Sequence, residues 1–434
     1  MVLSKLLVAA ASALLLSGVQ AQTNKPAEIK LGIGTFLSGP ASVFGVPAKN
    51  GAEMFINDLN AAGGIHGVKL TPTFIDEGIG GDKFLSEYRR LIQEQNTKLM
   101  LVGVSSGDCK TVAPVAEDLK ILNVMWDCST EKILEDNRYR YVVRTSADAN
   151  TEMVAAVLYL LRTKPDFKTL AVINQDYAWG RDSWELFRNT LLALKPDTKI
   201  VAELFPKLGA TDFSTEISRL QALRPDVVLS TSWGGDLDTL VRQAAQRGLL
   251  KSSQFILPLG ESSLERLGDT LPDGVIIGAL GDHYYQHPEY KDDAKMKNFV
   301  QKFKAKTGAY PSYPVFRVVS GLEAVVAGYD KAIKANKGQW PTTEQLADAM
   351  HGLEFRALTR PVKIRADGRA LQDQLFGVTK KVKGTPFSLI DKIVLYPAAP
   401  ITAPTGQKSV EWVKTLKPEI MKDPGIKAFP AISN

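Results

Sequence analysis

Residues 99–130 read LMLVGVSSGDCKTVAPVAEDLKILNVMWDCST and decide the fold class. An apolar run, Leu99–Val104, and a nearly apolar run, Ile121–Met125, flank a helical pattern. Such runs predict parallel strands that are covered on both faces. The polar turns Ser105-Ser106-Gly107 and Cys128-Ser129-Thr130 then lie at the carboxyl ends of neighbouring strands, where ligands bind in open α/β sheets. We expect their hydroxyl and N–H groups to hold a small anionic group such as a carboxylate.

Strand and helix patterns alternate on both sides of this stretch, which predicts right-handed crossovers and a mostly parallel sheet. The alternation restarts near residue 150, as a weak internal repeat. The helices after the first turn of each half are predicted at Pro47–Asn60 and Ser183–Leu194. Three turns match between the halves: Val43-Phe44-Gly45 with Ala178-Trp179-Gly180, Ser105-Ser106-Gly107 with Ser232-Trp233-Gly234, and Cys128-Ser129-Thr130 with Glu261-Ser262-Ser263. We predict two α/β lobes that face each other through these turns, with hydroxyls on one wall of the cleft and aromatic residues on the other.

The composition argues against several classes of protein. The chain has 53 basic and 47 acidic residues, a formal charge of +6, and no dense basic block interleaved with aromatics, so no nucleic acid partner is expected. Beyond the N-terminal segment, nothing approaches the roughly 18 consecutive apolar residues of a membrane span. The four histidines have no metal-ligand spacing, and we predict neither a metal nor a cofactor.

The N-terminus has the pattern of a secretory signal peptide. Lys5 precedes the apolar run Leu6–Leu16, and Val19-Gln20-Ala21 resembles a cleavage site. We therefore expect residues 1–21 to be removed after Ala21 and the mature chain to be exported. No cysteine lies directly after the apolar run, at the position where a lipid would be attached, which argues against a lipid anchor.

The two cysteines, Cys109 and Cys128, each follow a strand of the central stretch. An even count in an oxidising compartment indicates a disulfide, and neighbouring strands can bring the two Cα atoms within bridging distance. Two buried free thiols are the alternative, and the sequence leaves both open.

Three segments resemble a known family: KLGIGTFLSGPASVFG (30–45), KNGAEMFINDLNAAGGIHG (49–67) and LMLVGVSSGDCKTVAPVAEDLKI (99–121). They resemble the periplasmic binding proteins of ATP-driven (ABC) importers, in the branched-chain amino acid (Leu/Ile/Val) branch of the type I fold. The resemblance implies an α/β fold of two doubly wound parallel-sheet lobes joined by a three-crossing hinge. Lobe 1 would comprise residues 27–145 and 281–358, lobe 2 residues 146–280 and 359–400, and residues 401–434 a C-terminal extension.

The resemblance also implies a periplasmic, monomeric protein that binds a small solute and passes it to a membrane permease. The solute would be an amino acid, an amide or an aromatic acid. Carried onto this chain, the family's acidic partner of a ligand ammonium falls on Glu261. Its other ligand contacts fall on Phe44, on Ser105 or Ser106, on Ser129 and Thr130, on Tyr177 or Trp179, and on Trp233.

Other interpretations of these residues remain open. The aromatics could be core residues, and the hydroxyls could be ordinary helix N-caps. Gly103-Val104-Ser105-Ser106-Gly107 fits the G-x-S-x-G pattern of serine hydrolases, with Ser105 as nucleophile. We favour a protein that is not an enzyme, because the helical pattern starts only after Asp108–Ala113, whereas a nucleophile elbow needs a helix directly after the serine. A binding protein that senses its ligand for a receptor is a further alternative.

Overall fold

The computed structural model describes residues 25–432. The expected signal peptide, residues 1–21, lies outside them. In the described range, no helix combines the length and the apolar character needed to cross a bilayer.

Strands and helices alternate from residue 28 to residue 278, as the sequence predicts. The strands are β1 (Glu28–Thr35), β2 (Lys69–Asp76), β3 (Leu99–Leu101), β4 (Leu122–Met125), β5 (Val142–Arg144), β6 (Thr169–Ile173), β7 (Lys199–Leu204), β8 (Val227–Leu229), β9 (Gln254–Leu257), β10 (Ile276–Gly278), β11 (Glu354–Arg356), β12 (Pro361–Ile364), β13 (Ala370–Leu371), β14 (Gln374–Lys380), β15 (Leu389–Tyr396) and β16 (Lys427–Ala428). The helices are α1 (Ser42–Ala61), α2 (Gly81–Gln93), α3 (Ser106–Asp118), α4 (Lys132–Asp136), α5 (Ala149–Thr163), α6 (Ala178–Leu194), α7 (Ser214–Leu223), α8 (Gly234–Gln246), α9 (Leu249–Ser252), α10 (Leu264–Leu267), α11 (Ala294–Thr307), α12 (Tyr313–Ala335), α13 (Thr343–Met350), α14 (Ala398–Ile401) and α15 (Ser409–Val413).

Two sheets repeat one strand order. The first sheet runs β2-β1-β3-β4-β5 with all neighbours parallel. The second contains β7-β6-β8-β9-β10, also parallel and in the same relative order. It is extended by β14, β15 and β16, which pair antiparallel, so this sheet is mixed. The prediction of two doubly wound lobes is confirmed, and each lobe reverses its strand order at one point, between β1 and β3 or between β6 and β8.

The chain passes between the two sheets three times: after β5, after β10, and between β13 and β14. Buried polar contacts tie these passages together. Arg369, directly before β13, pairs with Asp148 of the first passage at 2.6 Å. Gln372 of the third passage has its Nε2 2.6 Å from Nε2 of His283 in the second. Between the second and third passages, α11 and α12 pack against α1 on the side of the first sheet.

Residues 401–432 pack against both sheets. The strand β16 pairs with β15 at the edge of the second sheet, and α15 packs on α5 and α6. Lys408 forms an ion pair with Asp136 of α4, beside the first sheet. The segment is therefore part of the folded unit.

Two helices begin earlier than predicted. α1 starts at Ser42 instead of Pro47, and α6 starts at Ala178 instead of Ser183. The aromatic–glycine pairs therefore lie within the first helical turns. At Gly45 a Cβ atom would collide with the Phe36 carbonyl, and at Gly180 with the Gln175 carbonyl, so glycine lets each first turn pack onto the loop that precedes it. The proline at position 47 misled the prediction because it lies inside the helix, where it is uncommon.

A disulfide joins Cys109 of α3 to Cys128 of the turn after β4, with Cα atoms 6.6 Å apart. Both residues are buried. Gly103 lies against them with φ +131°, and a Cβ there would collide with the Cys109 sulfur. The bridge fixes the start of α3 to the polar turn that follows β4.

Removing this disulfide is expected to lower the free energy of unfolding by about 3 kcal/mol, because a loop of this length restricts the unfolded chain. The measurement is urea denaturation of Cys109→Ser/Cys128→Ser beside the wild type. Dithiothreitol should destabilise the wild type to a similar extent and leave the double variant unchanged. Equal stability of oxidised wild type and double variant would contradict this.

Candidate ligand-binding site

A small cavity lies between the carboxyl ends of the two sheets. Its volume is about 10 Å³, room for roughly one water molecule. The first sheet contributes small and polar side chains from the turns after β3 and β4, and the second contributes aromatic rings from the turns after β6 and β8. The lining residues are Val104, Ser106, Asp127, Ser129, Tyr177, Trp179, Trp233, Leu259 and Leu280.

The strand order explains why the cavity is there. A crevice forms where consecutive connections leave a sheet in opposite directions, which here is between β1 and β3 and between β6 and β8. The connection after β3 carries Val104 and Ser106, the one after β6 carries Tyr177, and the one after β8 carries Trp233. The two crevices face each other. A solute the size of an amino acid fits between them only after the walls move apart.

Hydrogen bonds fix the aromatic wall. The Trp233 indole donates to the Tyr177 hydroxyl at 2.7 Å, and the Trp179 indole donates to the Thr231 carbonyl at 2.9 Å. Tyr177 and Trp233 are also the N-caps of α6 and α8, and neither side chain caps its helix. The first N–H groups of α6 therefore remain open to an anionic acceptor at this wall, whereas in α8 the Gly235 N–H already donates to the Pro40 carbonyl.

Phe44 supports Trp233 from behind and does not line the cavity. Its ring packs edge-to-face on Trp233 with centroids 5.3 Å apart, and it also contacts Trp126 and Tyr313. Only 1% of Phe44 is exposed. This residue from the first sheet thus reaches across to hold an aromatic ring of the second.

The hydroxyl wall is built from two turns that bond to each other. The Ser106 hydroxyl accepts the Thr130 N–H at 3.3 Å, and the Ser129 hydroxyl donates to the Asp127 carbonyl at 3.0 Å. Ser105 is the N-cap of α3, where its hydroxyl accepts the Asp108 N–H at 3.3 Å. Ser106 and Ser129 line the cavity, whereas Ser105 and Thr130 stand behind them.

A buried carboxylate holds the turn after β3. Glu77 accepts the N–H groups of Val104 and Ser105, the latter at 2.9 Å. Burial and the nearby Asp108 carboxylate raise the pKa of Glu77 well above its usual value. Sequence analysis did not identify Glu77, which lies at the end of β2 with no motif around it.

Asp127 is the acidic group of the cavity, and sequence analysis missed it although it precedes Cys128 in the predicted turn. Its Oδ1 accepts from Arg317 Nη1 at 3.0 Å, and Oδ2 has no hydrogen-bond partner among the described residues. Arg317 also donates to Glu152 at 2.7 Å. Burial raises the pKa of Asp127 to about 6 and that of Glu152 to about 7, although Arg317 opposes both shifts. Arg317 lies 190 positions from Asp127 in the chain, so no local pattern could have linked them.

Direct polar contacts join the two walls. The Gly235 N–H donates to the Pro40 carbonyl at 3.1 Å, and Lys132 pairs with Asp182 at 2.6 Å. The Thr130 hydroxyl also donates to Asp182, so Thr130 belongs to this contact. All three contacts are hydrogen bonds or ion pairs that water can replace, which suits a reversible closure.

Glu261 lies away from this cavity. It lines a separate, larger cavity and accepts the Tyr313 N–H at 2.8 Å. The matching of turns along the sequence placed Glu261 beside Ser129 and Thr130 of the other half. In the structure, Leu259 occupies the cavity wall after β9.

The predicted gap between Ser105 and the following helix is wrong. α3 begins at Ser106, directly after Ser105, so no gap separates the serine from its helix. Other features distinguish Ser105 from a nucleophile elbow. Its backbone is extended and unstrained, with φ −71° and ψ 123°, and its hydroxyl is engaged as the helix cap.

Comparisons with known proteins agree with this geometry. Residues 28–384 match the family model described as "Periplasmic binding protein". The leucine-specific-binding protein of Salmonella typhimurium is 27% identical over 268 residues, which are 61% of this chain and 70% of that protein. The leucine-, isoleucine-, valine-, threonine- and alanine-binding protein of Pseudomonas aeruginosa is 23% identical over 352 residues, 80% of this chain and 88% of that one.

Among solved structures, the fold resembles a solute-binding protein of an ABC transporter from Rhodopseudomonas palustris, crystallised with 3,4-dihydroxybenzoic acid. The TM-score is 0.73 at 21% identity, over 86% of this chain and 98% of that one. This likeness concerns the fold.

Proposed function

Because this chain belongs to the periplasmic binding protein family, we propose that it captures a small amino-acid-like solute for an ABC importer. The predicted family resemblance is thereby confirmed, and with it the interpretation as a solute-binding protein. The two lobes close on the solute and present the closed form to a membrane permease. An amino acid, an amide or an aromatic acid remains the ligand class, since a relative is named for amino acids and a structural neighbour was crystallised with an aromatic acid.

The observation that carries this proposal is the cavity shared by two equivalent strand-end crevices. Each crevice alone is an open surface, and only their apposition encloses a solute. Five of the predicted ligand contacts line this cavity: Ser106, Ser129, Tyr177, Trp179 and Trp233. We keep these five as ligand contacts. Phe44, Ser105 and Thr130 act behind them as supports, and Glu261 is not retained for this cavity.

The charges around the cavity favour a ligand that carries an amino group. We assign its binding to Asp127, whose pKa of about 6 leaves it ionised at neutral pH and whose Oδ2 has no other partner among the described residues. A carboxylate on the same ligand fits the open N–H groups at the start of α6. The apolar part then packs between Trp179, Trp233 and Leu280.

A thermal-shift and tryptophan-fluorescence screen tests this function. Matched pairs separate the ligand classes: leucine with 4-methylpentanoate, phenylalanine with 3-phenylpropionate, and each amino acid with its amide. A ligand at 100 times its Kd stabilises the folded protein by about 2.7 kcal/mol, and closure around two tryptophans changes their emission. Ser106→Phe, which fills the cavity, is the control and should abolish every shift. Shifts that persist in this variant would place the ligand elsewhere and overturn the proposal.

The remaining parts of the proposal follow the family. Lobe 1 is assigned to residues 27–145 and 281–358 and lobe 2 to 146–280 and 359–400, as the family resemblance implies. The first two boundaries fall at the passages after β5 and β10, whereas the third passage lies later in the chain, between β13 and β14. The chain acts in the periplasm as a monomer, after cleavage behind Ala21.

The chain is not an enzyme. Ser105→Ala should therefore change only the ligand affinity, through the cap of α3. If the wild type hydrolyses p-nitrophenyl esters and Ser105→Ala abolishes this activity, the hydrolase is favoured instead. If the protein stimulates transport by a reconstituted permease, it is an importer subunit; if it does not, a ligand sensor for a receptor is favoured.

A further inference from the structure

A second cavity, of about 390 Å³, lies beside α1. It shares no lining residue with the first cavity. Val43 and Asn50 of α1 form one side, and Glu261 and Leu264 from the segment after β9 form another. Its size is in the range of small-molecule sites. Since its sides belong to both halves of the molecule, an occupant would contact both.

Glu261 is a buried carboxyl group at the wall of this cavity. It is 4% exposed, and its Oε2 accepts the Tyr313 N–H at 2.8 Å. Its Oε1 has no hydrogen-bond partner among the described residues. The nearest cation on the same segment, Arg266, is committed to Asp238 at 2.6 Å and to the Ser262 carbonyl at 2.6 Å. This oxygen is not fully enclosed by protein atoms, so it is open to an occupant of the cavity.

Aromatic rings form another part of the lining. Tyr285 and Tyr310 stack with centroids 4.6 Å apart, and Phe387 packs edge-to-face on Tyr310 at 6.0 Å. Ring faces attract cations and pack well on apolar groups. A cavity with aromatic walls and a carboxyl group recognises a cationic head on an apolar body.

The charged groups that line this cavity are Glu261, Glu265 and Arg266. Glu265 lines it as well and accepts the Tyr310 N–H at 3.0 Å. Burial raises the pKa of Glu261 to about 8; Glu265 adds to this shift, and Arg266 opposes it. Lys304 lies over the Tyr310 ring at 3.9 Å and is not among the lining residues. Two carboxyl groups thus face the cavity with a single arginine that is already paired.

We propose that this second cavity is a binding site for a small primary amine with an apolar or aromatic body, whose ammonium group pairs with Glu261. The site is independent of the function proposed for the first cavity. At neutral pH an incoming ammonium meets a protonated Glu261 and lowers its pKa, so that a proton leaves to solvent as the amine binds. The bound amine contacts α1 and the segment after β9 together and therefore stabilises the closed arrangement.

Isothermal titration calorimetry with phenethylamine tests this site on the mature protein at pH 7. We expect Glu261→Gln to weaken binding by about 30-fold or more, because it removes one partner of a buried charge pair. The glutamine oxygen can still accept the Tyr313 N–H, which keeps the fold intact. Phenylethanol should bind wild type and variant equally, and 3-phenylpropionate should not bind in this cavity.

Proton release is a second readout. If Glu261 had only a structural role, no proton release would accompany amine binding. Titrations in phosphate and in Tris, which differ in ionisation enthalpy, should show nearly one proton released per phenethylamine bound by the wild type. The Glu261→Gln protein should release none. Phenethylamine binding that is unchanged by Glu261→Gln, or absent from the wild type, would overturn the proposal.

Two more variants separate the cavities. Asn50→Phe fills the second cavity and should abolish phenethylamine binding while the ligand shifts of the first cavity persist. Asp127→Asn should leave phenethylamine binding unchanged; its loss in this variant would place the amine in the first cavity and refute the second site. If amine binding depends on Glu261 but no ligand of the first screen binds, the function proposed for the first cavity is refuted and the second site is supported.

Discussion

Arg317→Met is expected to destabilise the folded protein by about 3–5 kcal/mol, more than the loss of the disulfide does. The guanidinium is fully buried and bonds to Asp127 at 3.0 Å, to Glu152 at 2.7 Å and to the Leu280 carbonyl at 2.9 Å. Methionine fills similar space but leaves two carboxyl groups without a cation. Urea denaturation at pH 7 measures the loss.

The loss should depend on pH. Burial already raises the pKa of Asp127 to about 6 and of Glu152 to about 7, and removing Arg317 raises both further. At pH 5 the folded variant therefore keeps both carboxyls protonated, and the deficit relative to wild type is small. It grows between about pH 5 and pH 8, because the folded wild type ionises both carboxyls beside Arg317 over this interval, whereas the folded variant must keep them protonated or bury them as charges.

A matched double variant checks the cause. Adding Glu152→Gln to Arg317→Met removes one orphaned carboxyl group and should recover part of the stability, a non-additive result typical of contacting residues. An Arg317→Met protein within about 1 kcal/mol of wild type at pH 7 would show that this ion network contributes little.

Asp127→Asn is expected to weaken the binding of an amine-bearing ligand of the first cavity by about 30-fold or more. The substitution keeps the shape of the side chain and removes the charge that we assign to the ligand's amino group. An aromatic acid without an amino group should bind this variant equally well or more tightly, since no carboxylate repels it. Titration calorimetry with each member of the matched pairs measures both.

The pH profile distinguishes charge pairing from packing. In the wild type, affinity for an amine-bearing ligand should rise between pH 5 and pH 7 as Asp127, with a pKa of about 6, becomes ionised, and then level off. The Asp127→Asn profile should be flat over this interval. Ser129→Ala is the control on the same turn and should keep the wild-type profile. An unchanged profile in Asp127→Asn would mean that another group binds the ligand.

The two halves of the repeat were predictable because their signals are local. Apolar runs of four to six residues followed by small polar turns mark buried parallel strands wherever they occur, and the offsets between turns showed the duplication. Ser106, Ser129, Trp179 and Trp233 were singled out this way, since a strand-end position fixes which edge of the sheet a residue occupies, and all four line the cavity. Tyr177, which also lines it, was named only through the family resemblance.

Helix starts were less predictable. Pro47 is a strong local signal for a first turn, and it outweighed the aromatic–glycine pair that actually lies there. The demand for glycine at positions 45 and 180 comes from the carbonyls of Phe36 and Gln175. Those contacts exist only once the helix has packed on the loop that precedes it.

The sequence by itself determined the fold class, the duplication and the wall from which each strand-end turn faces the cleft, because periodicity and turn chemistry act between near neighbours. Only the tertiary structure decided which charges meet: Arg317 with Asp127 and Glu152, and Glu261 with a cavity of its own. Those partners are brought together by the three passages between the sheets. A buried charge is stable only beside its partner, and chain topology, rather than spacing along the sequence, sets which partner is within reach.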